Sequence, residues 1–355
     1  MAAMNDVYVD YDAGVDSAGK GTGYGTSAYA TLEYALSDTT PDAEGDIFHI
    51  RSTGAIAVPS ARYTLVASYG APTEDQPVAF RGYSSVINDG GRPTFEGSTN
   101  SAAGFFSTAG NDFISISDMI FDQFTSHALD IDNSNVVINC KFTANPQAIR
   151  CDVYNTFINN EISGCTGTRA VELGGANMFR GNWIISDSAD TLTTMLFLSS
   201  LGDCVVDNIF TVTGANAVDA ITVSGGGNYV IGNTIDGGGS AIGAGILFDA
   251  ATHEACVVQN NIITNFNGTG GTGIDFGSAT SPISVYSHNA FWNNNAHVNN
   301  SGDEAKFQNP STTPDNESLT GDPFARSDDN TFANRFVYWA PKNEGNVLGG
   351  AYPTS

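Results

Sequence analysis

Apolar and polar residues alternate along this chain in very short runs, and the runs return at a near-fixed interval. One series reads INCKFT, INNEIS, RGNWII, VDNIFT, IGNTID, VQNNII and SHNAFW. Aligned on it, asparagines stand at Asn160, Asn182, Asn208, Asn233, Asn260 and Asn289, spaced 22, 26, 25, 27 and 29 residues apart. Cys140 takes the slot 20 residues before Asn160, and Met119 lies 21 before that. A second series runs in phase: LDI (129–131), IRC (149–151), VEL (171–173), LFL (196–198), ITV (221–223), ILF (246–248) and IDF (274–276). Its first and third residues are apolar in every copy while the middle one varies. That is the period-two signature of a strand with one buried face.

Repetition at 20 to 29 residues predicts a stack of structural repeats. No helix-length apolar period separates the runs, which excludes βαβ units and the leucine-rich and ankyrin solenoids. A propeller blade needs about 40–45 residues, more than the interval allows. Three short strands and three turns fit each repeat, with equivalent strands stacked in parallel ladders about 4.8 Å apart. The predicted fold is therefore all-β: a right-handed, single-stranded parallel β-helix, its hand set by crossover chirality. The recurring asparagine is expected at a sharp bend, where Asn tolerates left-handed backbone angles. Stacked once per coil, its amide can bond along the axis, as in amide ladders. Recurrence makes it a structural residue rather than a catalyst.

The two ends depart from the repeat. Residues 7–10 read as a first strand, and SAYATLEYALSD (27–38) as a short helix with Ser27 as N-cap, placed to close an open sheet edge. DIFHIRSTGAIAV (46–58) and PVAFRGYS (77–84) read as strands of less regular coils. This gives three segments: an opening strand, loop and capping helix (1–45), the β-helix (46–295), and an irregular C-terminal closing segment (296–355).

Composition narrows the partners. Asp plus Glu number 38 against 13 Lys plus Arg, a net charge of −25. Such a surface repels nucleic acid and anionic membranes, and it suits solubility in salty surroundings. No apolar run approaches the roughly 20 residues of a membrane span. The N-terminus MAAMNDVYVDYD lacks the basic and apolar regions of a signal peptide. The five cysteines, Cys140, Cys151, Cys165, Cys204 and Cys256, show neither close pairing nor CxxC spacing. They are expected as small buried residues, not as a disulfide or zinc framework.

Three stretches together resemble the pectate-lyase-like superfamily of right-handed parallel β-helices. They are the start VYVDYDAGVDSAGKGTGYGTSAYATLEYAL, the asparagine coils, and the end SLTGDPFARSDDNTFANRF, which is similar to a closing DP-F segment. The resemblance covers nearly the whole chain. It implies the fold more than the function, because that superfold hosts pectate and alginate lyases, polygalacturonases, phage tailspikes, adhesins and virion decoration proteins.

Where such proteins carry chemistry, catalytic groups often stand on the outward face of one sheet. The outward middle residues here include Asp130, Arg150 and Glu172, flanked by Asp132 and Asp152. They read either as a salt-bridge ladder on a solvated face, the favoured reading, or as a glycosidase or cation site. Phe197 and Leu247 lie on the same outward line. The polygalacturonase-like Asn-Thr-Asp, Asp-Asp, Gly-His-Gly and Arg-Ile-Lys set is missing, and Lys141 is the one lysine of the coils. The five histidines are scattered, and of them only His127 adjoins the acidic stack.

The sequence thus leans towards a non-enzymatic virion protein, a capsid decoration or tail appendage exposed on the virion surface. It would be a homo-oligomer, a trimer by family resemblance, meeting other virion proteins and a host-surface glycan. The alternative is an extracellular carbohydrate-active lyase or hydrolase using the Asp130 face. No cofactor or metal is expected; Ca²⁺ is the ion the carboxylates would suit.

Overall fold

The period-two runs are strands. The structure, a computed structural model, describes residues 4–60, 62–63, 65, 69–98, 104–106, 112–187, 190–213, 217–239, 241–249, 255–277, 285–299 and 317–318. The chain divides into two units, Met1–Asn160 and Glu161–Ser355. In each, consecutive strands fall in turn on three sheets, and every pairing is parallel. That is the right-handed single-stranded parallel β-helix.

In the first unit, the first sheet contains Asn5–Asp10, Asp46–Arg51, Val78–Tyr83, Ile114–Ser117, Val136–Ile138 and Thr156–Ile158. The second contains Ala55–Ala57, Thr94–Glu96, Ile120–Asp122 and Lys141–Thr143. The third pairs His127–Ile131 with Gln147–Val153. Inward residues stack like on like: Phe48 on Phe80 at 5.4 Å, and Phe121 on Phe142 at 5.2 Å. Each such aromatic pair adds about 0.5–1.5 kcal/mol beyond the area it buries.

The second unit repeats the cycle. Its first sheet runs from Met178–Arg180 through Cys204–Val206, Tyr229–Ile231 and Val257–Gln259 to Val285–Ser287. Its second runs from Glu161–Ser163 through Trp183–Ser186, Ile209–Val212, Thr234–Asp236 and Ile262–Thr264 to Ala290–Trp292, then Glu317–Ser318. Its third runs from Arg169–Gly175 through Thr194–Leu198, Asp219–Val223 and Ala244–Phe248 to Thr272–Asp275 and Ala296–Asn299. Val171, Leu196, Ile221, Ile246 and Ile274 fill one inward column and are fully buried.

The asparagine column is a hydrogen-bonded ladder. In the second unit the backbone N–H of Asn182 donates to Asn208 Oδ1 at 2.8 Å, and that of Asn208 to Asn233 Oδ1 at 3.0 Å. Asn233 donates in turn to Asn261 Oδ1 at 2.9 Å, and Asn261 to Asn289 Oδ1 at 3.1 Å. The amide nitrogens of Asn208, Asn233, Asn261 and Asn289 each donate to a carbonyl of the coil before, as Asn233 Nδ2 does to Val205 O at 2.9 Å. In the first unit Cys140 N–H donates to Asn160 Oδ1 at 2.9 Å, and Cys140 Sγ lies 3.4 Å from Ile138 O, where an amide nitrogen would sit.

Two expectations are corrected here. The rung is Asn261, not Asn260, which evens the last two spacings to 28 residues each. The left-handed residue is also not the ladder asparagine but the one before it. Asn159, Gly181, Asp207, Gly232, Asn260 and His288 all have φ between 54° and 69°. That step turns the chain so that the next side chain enters the wall.

The N-terminal helix starts later than expected. Gly25–Ser27 form a 3₁₀ turn, and the helix is Leu32–Asp38, capped by Thr31 accepting from Tyr34 N–H. Ser27 cannot cap it because Tyr29 is drawn into pairing with the first strand, its N–H donating to Tyr8 O at 2.9 Å. Leu32, Ala35 and Leu36 are buried. All five cysteines are free, and four are buried. No helix among the described residues is long and apolar enough to cross a membrane. Beyond residue 299 the proposed closing segment lies outside the described residues, apart from 317–318.

Asn233→Ala should destabilise the protein by roughly 1–3 kcal/mol, since it strands buried donors of Asn208 and the carbonyl of Val205. Asn260→Gly should cost nothing, because Gly181 and Gly232 make the same left-handed step. Denaturant unfolding of both variants checks the pair.

Candidate functional site

The expected acidic face is split between the two units. In the first, Arg150 stands opposite Asp130 in register on adjacent strands. Asp152 lies further along the same strand as Arg150, and Asp132 follows the strand carrying Asp130. His127 Nδ1 is 2.9 Å from Ser126 Oγ. In the second unit, Glu172 has its own cation: Arg169 Nη1 is 3.0 Å from Glu172 Oε1. The Arg169 guanidinium carbon also sits 3.4 Å over the Phe197 ring, a cation–π contact. Arg169 serves Glu172 and Phe197 on its own face.

On that face Asp219 is pushed up to about 6, first by burial, then by the charges of Asp275 and Asp249. It remains tied to the wall, accepting from Ala244 N–H at 2.8 Å. A depression of about 600 Å³ elsewhere is lined by Leu201, Gly202, Ser224, Gly225, Gly226, Gly227 and Ala255. It presents one hydroxyl and no ionisable side chain. Among the described residues no group of three or more His, Cys, Asp or Glu could hold a metal ion.

A richer cluster lies on the outward side of the first sheet in the first unit, where the coils are least regular. Val7, Phe48, Phe80 and Ile116 point inward and are buried. Alternation therefore turns their neighbours out. Tyr8, His49 and Arg81 form one cross-strand row, and Asp10, Arg51 and Tyr83 form the next. Three strands spaced about 4.8 Å apart thus carry two Arg, one His and two Tyr within about 10 Å across. Gly82 fixes the strand that bears Arg81 and Tyr83. A Cβ there would lie 1.8 Å from Asp118 O.

The loop after the first strand folds back over these rows. Its Tyr24, half-exposed, meets Tyr8 edge-on at 5.0 Å and Tyr83 edge-on at 5.8 Å. Tyr8 stacks on His49 at 5.3 Å. The result is an aromatic cover over polar groups.

Those polar groups fall into two kinds. Arg51 is spoken for: Nη1 is 3.0 Å from the buried carboxylate of Asp10, and Nε donates to Ser84 O at 2.7 Å. Asp10 also accepts from the N–H groups of Asp12 and Ala13. By contrast, Arg81 makes no side-chain hydrogen bond or ion pair among the described residues. His49 Nε2 is 2.7 Å from Asp6 Oδ1, which fixes the ring. Nε2 is thereby engaged, and on a neutral imidazole the remaining Nδ1 is an acceptor. Both Nδ1 of His49 and Oη of Tyr83 are buried without a hydrogen-bond partner. Burial, then the charge of Asp10, holds the Tyr83 phenol well above its ordinary range, opposed by Arg51. Buried polar atoms are nearly always satisfied, so two orphans in one cluster call for a polar guest.

The arrangement offers one acceptor, one phenol donor, one unpaired guanidinium and aromatic faces. A planar anion suits the guanidinium, and hydroxyl groups suit the acceptor and donor.

No protein-family model matches the sequence, and no curated protein matches it. Solved structures do resemble it. A PL6 family polysaccharide lyase from Pseudopedobacter saltans aligns with 81% of this chain and 89% of its own, at 11% identity and a TM-score of 0.39. The catalytic domain of a GH87 alpha-1,3-glucanase in complex with nigerose aligns with 82% of this chain and 66% of its own, at 12% identity and a TM-score of 0.38.

Tyr83→Phe removes a buried hydroxyl that has no partner, so the ligand-free protein should melt at the same temperature or higher. A loss of about 1 kcal/mol or more in the melt would show that the hydroxyl is satisfied after all.

Proposed function

We propose that this chain is a carbohydrate-active β-helix that engages a carboxylated polysaccharide at the Tyr8–Tyr24–His49–Arg81–Tyr83 cluster. One observation carries the reading. Beneath the aromatic cover, His49 Nδ1 and Tyr83 Oη are buried without partners, beside an Arg81 that makes no ion pair among the described residues. With the Tyr24 loop displaced from Tyr8 and Tyr83, a sugar ring supplies hydroxyl groups for the two orphans and a C–H face for Tyr24. A uronate carboxylate supplies the anion for Arg81. The preference for a charged sugar rests on the local cation, which acts against the repulsion from a chain of net charge −25. No feature of the described residues favours a capsid or tail role over this one.

Binding of uronate polymers and of neutral glucans, each followed by assay for new chain ends, tests the proposal. Uronate polymer should bind, and Arg81→Ala and Tyr24→Ala should each weaken binding at least tenfold with the fold intact. Retention of full affinity by both variants, or equal binding of neutral glucan, would overturn the proposal. Recovery of the chain as a stoichiometric virion component that binds no saccharide would overturn it in favour of the structural role.

A further inference from the structure

A second ladder runs five residues ahead of the first, and one of its rungs is an acid. The sequence shows the frame as NTFINN, NMFRGN, DCVVDN and NYVIGN, with Asn155, Asn177, Asp203 and Asn228 in the leading position. The hydrogen bonds follow the same rule as in the first ladder. Asn177 N–H donates to Asp203 Oδ1 at 3.0 Å, and Asp203 N–H donates to Asn228 Oδ1 at 2.8 Å. Asn177 Nδ2 also donates to Asp203 Oδ1, at 2.9 Å.

The amide rungs show what the second side-chain atom must do. Asn228 Nδ2 donates to Ser200 O at 3.1 Å and to Gly225 O at 2.8 Å. Asn155 Nδ2 donates to Asp132 O at 2.9 Å and to Val153 O at 3.2 Å. In each case the atom faces one carbonyl of the coil before and one of its own turn. At Asp203 this position is held by Oδ2, in a fully buried residue, and Oδ2 has no partner. An ionised carboxylate there would set an acceptor against acceptors.

We infer that Asp203 is held as a neutral carboxylic acid whose Oδ2–H replaces the amide of an asparagine rung, making this turn of the wall sensitive to pH. Burial pushes its carboxyl up to about 6, against the pull of the hydrogen bonds from Asn177. Among the described residues no cation compensates it. From its own strand it meets the Cys204 thiol, itself raised by burial and by Asp203. The rungs on either side, Asn177 and Asn228, are neutral, and so is the preceding Leu201–Gly202 turn. The Arg180–Asp207 pair, 3.4 Å apart, sits at the far end of the strands and is largely exposed.

A folded value above the ordinary carboxylate value of about 3.9 means stability that is complete below about pH 4 and lost as pH rises through about 6. The shift of about two units corresponds to roughly a hundredfold in the folding equilibrium above pH 7. Asp190 and Asp219 are also pushed up to about 6, so the contribution of Asp203 is read as a difference between variants.

The test is denaturant unfolding of the full chain, wild type against Asp203→Asn and Asp203→Ala, at pH 4.5 and pH 8. Asp203→Asn should stay within about fivefold of wild type at pH 4.5 and exceed it at pH 8 by up to about a hundredfold. Asp203→Ala, which loses the acceptor for Asn177, should be weaker than Asp203→Asn at both pH values. An Asn variant no more stable than wild type at pH 8, or a constant difference across pH, would overturn the inference.

Discussion

A side-chain carbonyl accepting a backbone N–H from the neighbouring coil is the interaction on which this structure depends. Parallel strands of three residues cannot hold a wall by their own ladder bonds, because each coil must also bend three times. At each bend the regular pairing lapses and backbone donors are left over. The asparagines at 208, 233, 261 and 289 take up those donors inside the second unit, as Asn160 does for Cys140 in the first. Each amide also returns a donor to a carbonyl of the coil before. Such an amide satisfies two buried groups at once. Left unmade, each would cost about 1–3 kcal/mol.

With the wall satisfied from within, the outward positions are released from structural duty. What they carry then differs from place to place. On the third sheet of the second unit, Arg169 closes onto Glu172 and Phe197, so the charges there neutralise one another. On the first sheet of the first unit, Arg51 is likewise consumed by Asp10, but Arg81, His49 Nδ1 and Tyr83 Oη are left open under Tyr8 and Tyr24. This difference in satisfaction, rather than the residue types alone, separates a structural ion pair from a site for a guest.

The architecture was legible because a β-helix writes its period into the chain. The apolar columns Val171, Leu196, Ile221 and Ile246 were visible from alternation, and the first ladder from its spacing. Asn260 misled because two asparagines stand together, and only the three-dimensional step shows that the first turns left-handed while the second enters the wall. The second ladder had a signal, a polar residue five positions ahead of each rung, hidden because Asp203 and Cys256 interrupt the run of asparagines. The site around His49 and Tyr83 had none. Tyr8, His49 and Tyr83 come from separated segments of the irregular first coils, and only their register on one sheet, with the loop of Tyr24 folded over it, brings them together.

In the proposed function the outward face of the first coils, and not the Asp130 face, receives a saccharide. A crystal structure of the protein soaked with a uronate oligosaccharide tests it most directly. Sugar density is expected against Tyr24, with a carboxylate on Arg81 and hydroxyl groups within hydrogen-bond distance of His49 Nδ1 and Tyr83 Oη. Ordered sugar along Asp130 and Arg150, with the Tyr24 cover unchanged and empty, would contradict it.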